Sequence, residues 1–516
     1  MGLLVLLAVL SFLYLFIHRL LAKQSTVYPP GPKPLPVLGN VLNLTPRELW
    51  VRATEWYRDY GEIVYVHLLG QGLVFLNTHQ VAVDLLDKRG SIYSDKPPLV
   101  MAGELCGCEN MVAFTRYGDK ARRQRKLFTQ ALGATAVKTY HPLLEIQSHS
   151  LVRDIVRDPK NYQRYIRQYA GGLTLLVVYG YRVQGKDDEY LQLAEECVDI
   201  LSNKIASGGG IWPVDIIPAL KHLPLWFPGA SFKRKAMQWS AKMQEFVDKP
   251  YETLLQSMTD GTAVPCFCTT LLDNNSDKQQ DEETKRQRDF DIRWTANSMY
   301  SASLDTTVTA VLHFMLSMIQ NPKVLRKAQD ELDSIIGSSR LPTLNDRSSL
   351  PYLECVMSEV LRIGVAVPLG LPHRLMEDDV YKGMYIPKGS LVFANCWNML
   401  RNEEIYPDAH SFIPERYMVE ADEVTIKRRD PRNYVFGFGR RKCPGSHLIE
   451  SSLWIVIATF IATVDIQKAK DVEGNYVEPK VEFENAVFRI PSSFECDIQP
   501  RSEQASKLVR QTGENH

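Results

Sequence analysis

The 516-residue sequence has few cysteines, no excess of either charge and no internal repeat. Its nine cysteines are too sparse for a disulfide scaffold, which favours the reducing side of a membrane. Sixty basic and sixty acidic residues cancel, so the composition does not indicate a nucleic-acid partner. The glycine fingerprints of nicotinamide and flavin sites are also absent. What remains, 45% hydrophobic and 23% charged residues, is typical of a globular protein with a large core.

Charge is also missing from the first 17 positions, which are almost wholly apolar. A cleaved signal peptide would carry a basic start and a small-residue cleavage site, and a core helix would rarely begin at the first residue. About 20 apolar residues span a bilayer, so residues 1–22 are predicted to form one membrane anchor. His18, Arg19 and Lys23 follow the apolar run and place the remaining chain in the cytosol. Residues 23–45 contain a cluster of prolines and are predicted to form a stiff hinge.

The remaining chain, residues 46–516, is predicted to form one large domain that is mainly α-helical with a small β-sheet region. A glycine-flanked hairpin turn is expected at residues 70–72, and the polar stretch 273–288 is expected to be a mobile surface loop. Hydrophobic periodicity predicts helices at 48–60, 80–88, 143–157, 188–205, 231–259, 291–320 and 323–336, and strands at 63–68, 73–76, 380–386 and 487–490.

The strongest motif is the ten-residue segment FGFGRRKCPG, residues 436–445. A single cysteine is usually an inert buried thiol, and His447 alone does not complete a zinc site around Cys443. Here, however, basic neighbours and free backbone N–H groups are expected to lower the pKa of the Cys443 thiol. The segment resembles the haem-ligand loop of the cytochrome P-450 family, Phe-x-x-Gly-x-Arg-x-Cys-x-Gly, at every fixed position. This resemblance implies haem b with Cys443 as the axial iron ligand and with Phe436 and Arg441 at the cofactor.

Two further segments resemble motifs of the same family in the expected order. Glu359 and Arg362 match its Glu-x-x-Arg pair, which on its own would more often be an exposed ion pair on one helix face. Pro414 to Arg416 resembles its Pro-Glu-Arg segment. The resemblance implies that Glu359, Arg362 and Arg416 form a buried structural triad behind the haem loop.

Residues 302–307, ASLDTT, resemble the oxygen-activation signature of the family, (Ala/Gly)-Gly-x-(Asp/Glu)-Thr-Thr. An Asp-Thr pair in a helix is usually solvated or bonded to the preceding turn. The apolar flanks make a buried pair plausible, and Asp305 with Thr306 can then relay protons to the reaction. Ser303 replaces the usual glycine, so it either narrows the oxygen-binding groove or adds a hydroxyl to it.

Two more residues are assigned to the haem carboxylates by resemblance. Arg125 occupies the arginine position of the C-helix Trp-x-x-x-Arg motif, in which Ala121 replaces the tryptophan. The basic run around Arg125 is otherwise a solvated face or a docking patch, and both functions can coexist. His373 is preferred over Arg374 for a second carboxylate contact, although a lone histidine is more often structural.

Taken as a whole, the sequence resembles microsomal-type members of the family, particularly those of fungal secondary metabolism. This implies a triangular-prism fold with haem between the I and L helices, and a monooxygenase in the endoplasmic reticulum membrane. It also implies NADPH–cytochrome P-450 reductase as electron donor, cytochrome b5 as an optional one, and O2 and a hydrophobic terpenoid or polyketide as substrates. Substrate contacts are expected at 96–114, 300–303, 365–371 and 487–488. Residues 211–228 either pack as an ordinary loop or dip into membrane lipid.

Two other functions remain compatible with these motifs. One is a haem-thiolate isomerase or dehydratase that needs no reductase, which the Asp305–Thr306 pair disfavours. The other is a non-catalytic haem-binding protein of the membrane.

Overall fold

The computed structural model describes residues 27–45, 47–185, 187–205, 212–273, 281–484 and 487–511. The predicted anchor at 1–22 lies outside these residues. The chain is mainly helical, as predicted. Its α-helices are α1 Leu49–Tyr60, α2 His79–Ala82, α3 Gly90–Tyr93, α4 Asp119–Leu132, α5 Ala134–Val137, α6 His141–Arg157, α7 Tyr162–Tyr179, α8 Glu189–Asp199, α9 Pro213–Ile216, α10 Ser231–Thr259, α11 Phe267–Leu272, α12 Glu282–Gln320, α13 Pro322–Ile335, α14 Pro351–Ile363, α15 Cys396–Met399, α16 Glu423–Arg429, α17 Arg432–Val435, α18 Ser446–Thr463 and α19 Glu503–Gln511.

The β-structure is small and lies in separate sheets. A four-stranded sheet has the order β1-β2-β6-β3, with β2 and β6 parallel and the other pairs antiparallel. The remaining strands form the antiparallel pairs β4–β5, β7–β10 and β8–β9. The strands are β1 Ile63–Leu68, β2 Gln71–Leu76, β3 His373–Arg374, β4 Asp379–Tyr381, β5 Met384–Ile386, β6 Leu391–Ala394, β7 Val464–Lys468, β8 Phe483–Glu484, β9 Ile490–Pro491 and β10 Cys496–Pro500.

Helix α12 runs through the core and organises the helices around it. It packs against α7, α14 and α18, and its residues from 291 to 319 are mostly buried. The Asp281 side chain accepts a hydrogen bond from Thr284 N–H and caps the first turn. Because of this cap the helix begins at Glu282, so the prediction of a surface loop is wrong for residues 282–288.

One strand prediction and one turn prediction also need correction, and of the predicted strand 487–490 only residue 490 lies in a strand, β9. Residues 380–386 form a hairpin, because Lys382 and Gly383 both have positive φ and reverse the chain between β4 and β5. In the first hairpin the turn is Leu69-Gly70, one residue earlier than predicted, since Gln71 pairs with Leu68 in the ladder.

The proline-rich segment that follows the predicted anchor is packed onto the body. Tyr65 N–H donates to Pro30 O at 3.0 Å, and Tyr385 N–H donates to Val27 O at 2.7 Å. A Cβ on Gly31 would lie 2.1 Å from Tyr65 O, so glycine permits this close approach.

Among the described residues, α12 and α18 are long and apolar enough to cross a membrane. In each, more than two thirds of the most apolar window is buried inside the protein, which is typical of core helices.

Candidate active site

Residues 436–445 form a tight loop that places Cys443 three residues before the start of helix α18. Gly439 has a φ of +59°, and a Cβ there would lie 2.0 Å from Leu86 O, so the loop requires glycine. Cys443 N–H donates to Phe436 O at 2.7 Å and closes the loop. The Phe436 side chain is buried, whereas Cys443 keeps part of its surface accessible. The loop therefore fixes the position of the Cys443 thiol.

Opposing effects act on the Cys443 thiol. Burial raises its pKa, while a hydrogen bond from Gly445 N–H and the charges of Arg125 and Lys442 lower it. The sequence predicted a lowered pKa, but burial outweighs the other effects and the net shift is upward. A metal cation bound at the sulfur would supply the missing stabilisation, because a coordinating thiol is deprotonated.

Four basic side chains, Lys96, Arg125, His373 and Arg441, lie close to one another beside the loop; we name them the cationic cluster. Arg441 donates from Nε to Ser94 O and from Nη2 to Thr115 O, both at 2.8 Å. Lys96 Nζ donates to the backbone oxygens of residues 371 and 372, and Arg125 Nη1 donates to Lys442 O at 2.8 Å. The structure thus brings Arg441, His373 and Arg125 together, and it adds Lys96.

Burial acts on every member of the cationic cluster, and repulsion from other members adds to it at Lys96, His373 and Arg441. Burial and the Arg441 charge lower the pKa of Lys96 to about 7, and burial and the Lys96 charge hold the pKa of His373 well below its usual range. Burial, with repulsion from Arg125, lowers the pKa of Arg441 to about 10. Such a cluster is costly unless an anion joins it.

The cationic cluster fits the two carboxylates of haem. Arg441 Nη1 is buried and has no hydrogen-bond partner among the described residues. Asp95, next to Lys96 in sequence, pairs instead with Arg116 and Arg374. The Asp95 charge offsets burial at Lys96 and Arg441 only in part, so this cluster and the orphaned donor fit an anion at this position.

An accessible strip runs along the otherwise buried middle of helix α12. Ala302, Thr306 and Ala310 are accessible at four-residue spacing, so they lie on one face. Thr306 Oγ1 donates back to Ala302 O at 2.8 Å. The Ser303 hydroxyl lies 2.7 Å from Thr174 Oγ1 on helix α7, so it bridges two helices and does not extend the strip.

Asp305 is buried and faces away from that strip. Its Oδ1 lies 3.8 Å from Arg167 Nη1 on α7, and its Oδ2 accepts from Ser202 Oγ at 3.3 Å. Successive helix residues point about 100° apart, which explains why Asp305 and Thr306 face different surroundings. Arg167 gave no sequence signal because its relation to Asp305 exists only in the folded chain.

Glu359, Arg362 and Arg416 meet in the core. Arg362 donates from Nε and Nη2 to the two Glu359 oxygens at 2.8 and 2.7 Å, and Arg416 Nε donates to Oε1 at 3.1 Å. Arg362 Nη1 also donates to Leu400 O and Ala409 O, so the group ties α14 to the segment after β6. These three buried side chains therefore hold the two segments together, and we name them the buried clamp.

The outer surface near the loop is basic. The described residues with exposed side chains include Arg122, Arg123 and Lys126 on α4 and Arg440 and Lys442 in the loop. Arg122 pairs locally with Asp119, and Arg123 reaches Asp291. The remaining cations leave a positive surface that can dock an acidic partner.

The comparisons with known proteins agree with this geometry. A family model described as Cytochrome P450 matches residues 29–492. The chain is 38% identical over 483 residues to cytochrome P450 monooxygenase claT of Ampulloclitocybe clavipes, covering 94% of this chain and 93% of that protein. It is 38% identical to claR of the same fungus, covering 98% and 92% of the two chains. Cytochrome P450 monooxygenase 208 of Postia placenta is 39% identical, with 93% and 92% covered.

Proposed function

The chain belongs to the cytochrome P450 family and is a haem-thiolate monooxygenase, and from this premise we propose that it oxidises an apolar small molecule. The substrate class that we favour is a terpenoid or polyketide of fungal secondary metabolism. The observation that carries the proposal is the Cys443 loop, closed on Phe436 O, beside a buried cationic cluster in which Arg441 Nη1 has no hydrogen-bond partner among the described residues.

The residues that would hold haem follow from the site. Cys443 would ligate the iron, and Arg441, Arg125, His373 and Lys96 would face the carboxylates; Phe436 supports the loop through its backbone oxygen. Bound through a thiolate, haem would supply oxygen activation: with two electrons from a reductase and two protons, one atom of O2 would enter the substrate and the other would leave as water.

Thr306 is the residue that we place at the proton-transfer step. Its hydroxyl is on the accessible strip and, bonded to Ala302 O, keeps its own oxygen free to accept a proton-donating hydrogen bond. Asp305, held by Arg167 and Ser202, would pass protons from the far side of the helix when that contact opens.

Apolar side chains dominate the proposed substrate contacts. Ala302 is exposed in the middle of a core helix, and Leu371, two residues before β3, is 45% exposed. An apolar substrate would cover both surfaces and recover hydrophobic free energy.

We propose docking of NADPH–cytochrome P-450 reductase, and of cytochrome b5, on the basic surface around α4 and the cysteine loop. Exposed cations there would steer acidic partners. The docked reductase would then lie on the cysteine side of the site, close to the proposed haem edge.

We further propose that the body rests on the endoplasmic reticulum membrane beside the anchor. Trp226 is 80% exposed, Phe227 and Leu225 are more than 40% exposed, and Leu42 in the hinge is 80% exposed. Exposed aromatic and aliphatic groups of this kind favour a bilayer interface over water.

The test uses the full chain with a fungal NADPH-dependent reductase and a panel of apolar terpenoids and polyketides, with products read by mass spectrometry. We expect a thiolate-type spectrum of the reduced carbon-monoxide complex and products that carry one oxygen atom from labelled O2. Cys443→Ala should lose both. Product formation without NADPH would favour the isomerase or dehydratase, and haem binding without any turnover would favour a non-catalytic protein.

A further inference from the structure

His313 stands at a junction of three segments, two of which are proposed substrate contacts. It lies on α12, seven residues after Thr306. A Cβ on Gly364, directly before the 365–371 contact, would lie 2.7 Å from His313 Cβ. Arg489, directly after the 487–488 contact, donates from Nη1 to His313 Nε2 at 2.9 Å.

The hydrogen bonds of His313 define its form. Nδ1 lies 2.9 Å from Thr309 O and must donate to it, which leaves Nε2 as the acceptor for Arg489. Burial and the charge of Arg489 lower the pKa of His313 to about 3, so the ring is neutral at physiological pH. A buried neutral histidine with both nitrogens satisfied is a rigid support.

Arg489 connects this support to both substrate contacts. Its backbone N–H donates to Ala366 O at 3.0 Å, inside the 365–371 contact. Its guanidinium lies 3.4 Å from the centre of the Phe483 ring and 4.6 Å from that of Trp397. The backbone N–H of Trp397 in turn donates to Pro368 O at 3.0 Å.

Hydrogen bonds also connect His313 to the turn of α12 that carries Asp305 and Thr306. Thr309, which accepts from His313, donates from Oγ1 to Asp305 O at 2.6 Å. Among the described residues, Arg489 has no carboxylate within ion-pair distance, so its side chain is committed to His313 and to the two aromatic rings.

We propose that His313 and Arg489 are positioning residues that fix the 365–371 and 487–488 segments against helix α12 and so set the shape of the substrate pocket. Neither residue touches the reacting atoms. The inference rests on the proposed function, because it takes these two segments as substrate contacts.

The test measures pocket shape without the natural substrate. Purified holoenzyme is titrated with 1-methylimidazole and 1-octylimidazole, whose ring nitrogen ligates the iron while the alkyl tail occupies the pocket. The absorption shift gives both dissociation constants. Their ratio reports the fit of the tail, and a general loss of stability does not move it.

Arg489→Met and His313→Phe should each change this ratio by about fivefold, as expected when a contact along a coupling network is lost. Arg489→Lys retains a donor for His313 Nε2 and should restore most of the ratio. Arg293→Met is the matched control, since Arg293 also lies half-buried, stacks on an aromatic ring and pairs with Asp248, but at the other end of α12.

An unchanged ratio in both Arg489→Met and His313→Phe would overturn the inference, as would an equal change in Arg293→Met. If those two variants fail to incorporate haem, Gly364→Ala provides the test. Its added Cβ would displace His313, so the inference requires that the ratio of the two dissociation constants changes in this variant as well. If the unmodified holoenzyme binds neither imidazole, the result would instead count against the proposed function.

Discussion

Replacing Glu359 with glutamine isolates the energetic role of the buried clamp. The carboxylate accepts from Arg362 twice, from Arg416, from Ile413 N–H and from Tyr417 OH. Glutamine keeps the shape, but its NH2 group would face donors at one of the two oxygen positions. It also leaves two buried arginines without an acidic partner.

The magnitude follows from these contacts. Breaking a buried ion pair on one side costs about 3–5 kcal/mol, because the remaining charge stays desolvated. This is a large part of the roughly 5–15 kcal/mol that stabilises a typical native protein. The ratio of folded to unfolded protein should fall by roughly two to four powers of ten.

The assay is urea unfolding of the holoenzyme, followed by tryptophan fluorescence and by the haem absorption band. We expect the midpoint to fall sharply for Glu359→Gln and both signals to be lost together. Glu423→Gln is the control, because Glu423 pairs with Lys427 at 2.7 Å on an exposed helix face. Exposed pairs contribute little, so that midpoint should not move. Equal midpoints for the two variants would refute the reasoning.

Three other predictions follow from the site. Thr306→Ala should keep NADPH consumption but lower product yield and raise hydrogen peroxide release; unchanged coupling would remove Thr306 from proton transfer. Affinity of the haem-free protein for haem should fall between pH 6 and 8, because Lys96, with a pKa lowered to about 7, loses its charge as pH rises; Lys96→Met should abolish this slope in a haem titration. Trp226→Phe should reduce quenching of tryptophan fluorescence by brominated lipids, whereas Trp56→Phe, deep in the core, should not.

Local sequence patterns were sufficient to predict the family of the chain and the cysteine loop. The ten residues from 436 to 445 form one continuous segment, so their resemblance to the haem-ligand loop pointed to Cys443 and to the family, and the comparison confirms that the chain belongs to that family. Helix α10 matches its predicted bounds of 231–259 for the same reason, since its apolar period is visible in the sequence.

Other features depend on contacts between distant segments and left no local signal. The hairpin at 380–386 is a different case, because Gly383 marks its turn in the sequence, whereas Lys382, which also has a positive φ, does not. Lys96 becomes part of the cationic cluster only because the chain folds residues 371 and 372 onto it. In the sequence it was merely the first residue of a proposed substrate contact.

Ser303 shows how a departure from a family motif is decided by the surroundings of the residue. The sequence left two possibilities, a narrowed groove or an added hydroxyl in the groove. Ser303 follows Ala302 in the helix, so its side chain points about 100° away from that of Ala302. In this direction it faces α7. There its hydroxyl meets Thr174 at 2.7 Å and donates to Tyr300 O, so both of its polar functions are used in packing. The accessible strip of Ala302 and Thr306 is thus unaffected by the substitution, and the extra hydroxyl stabilises the helix pair that holds the strip in place.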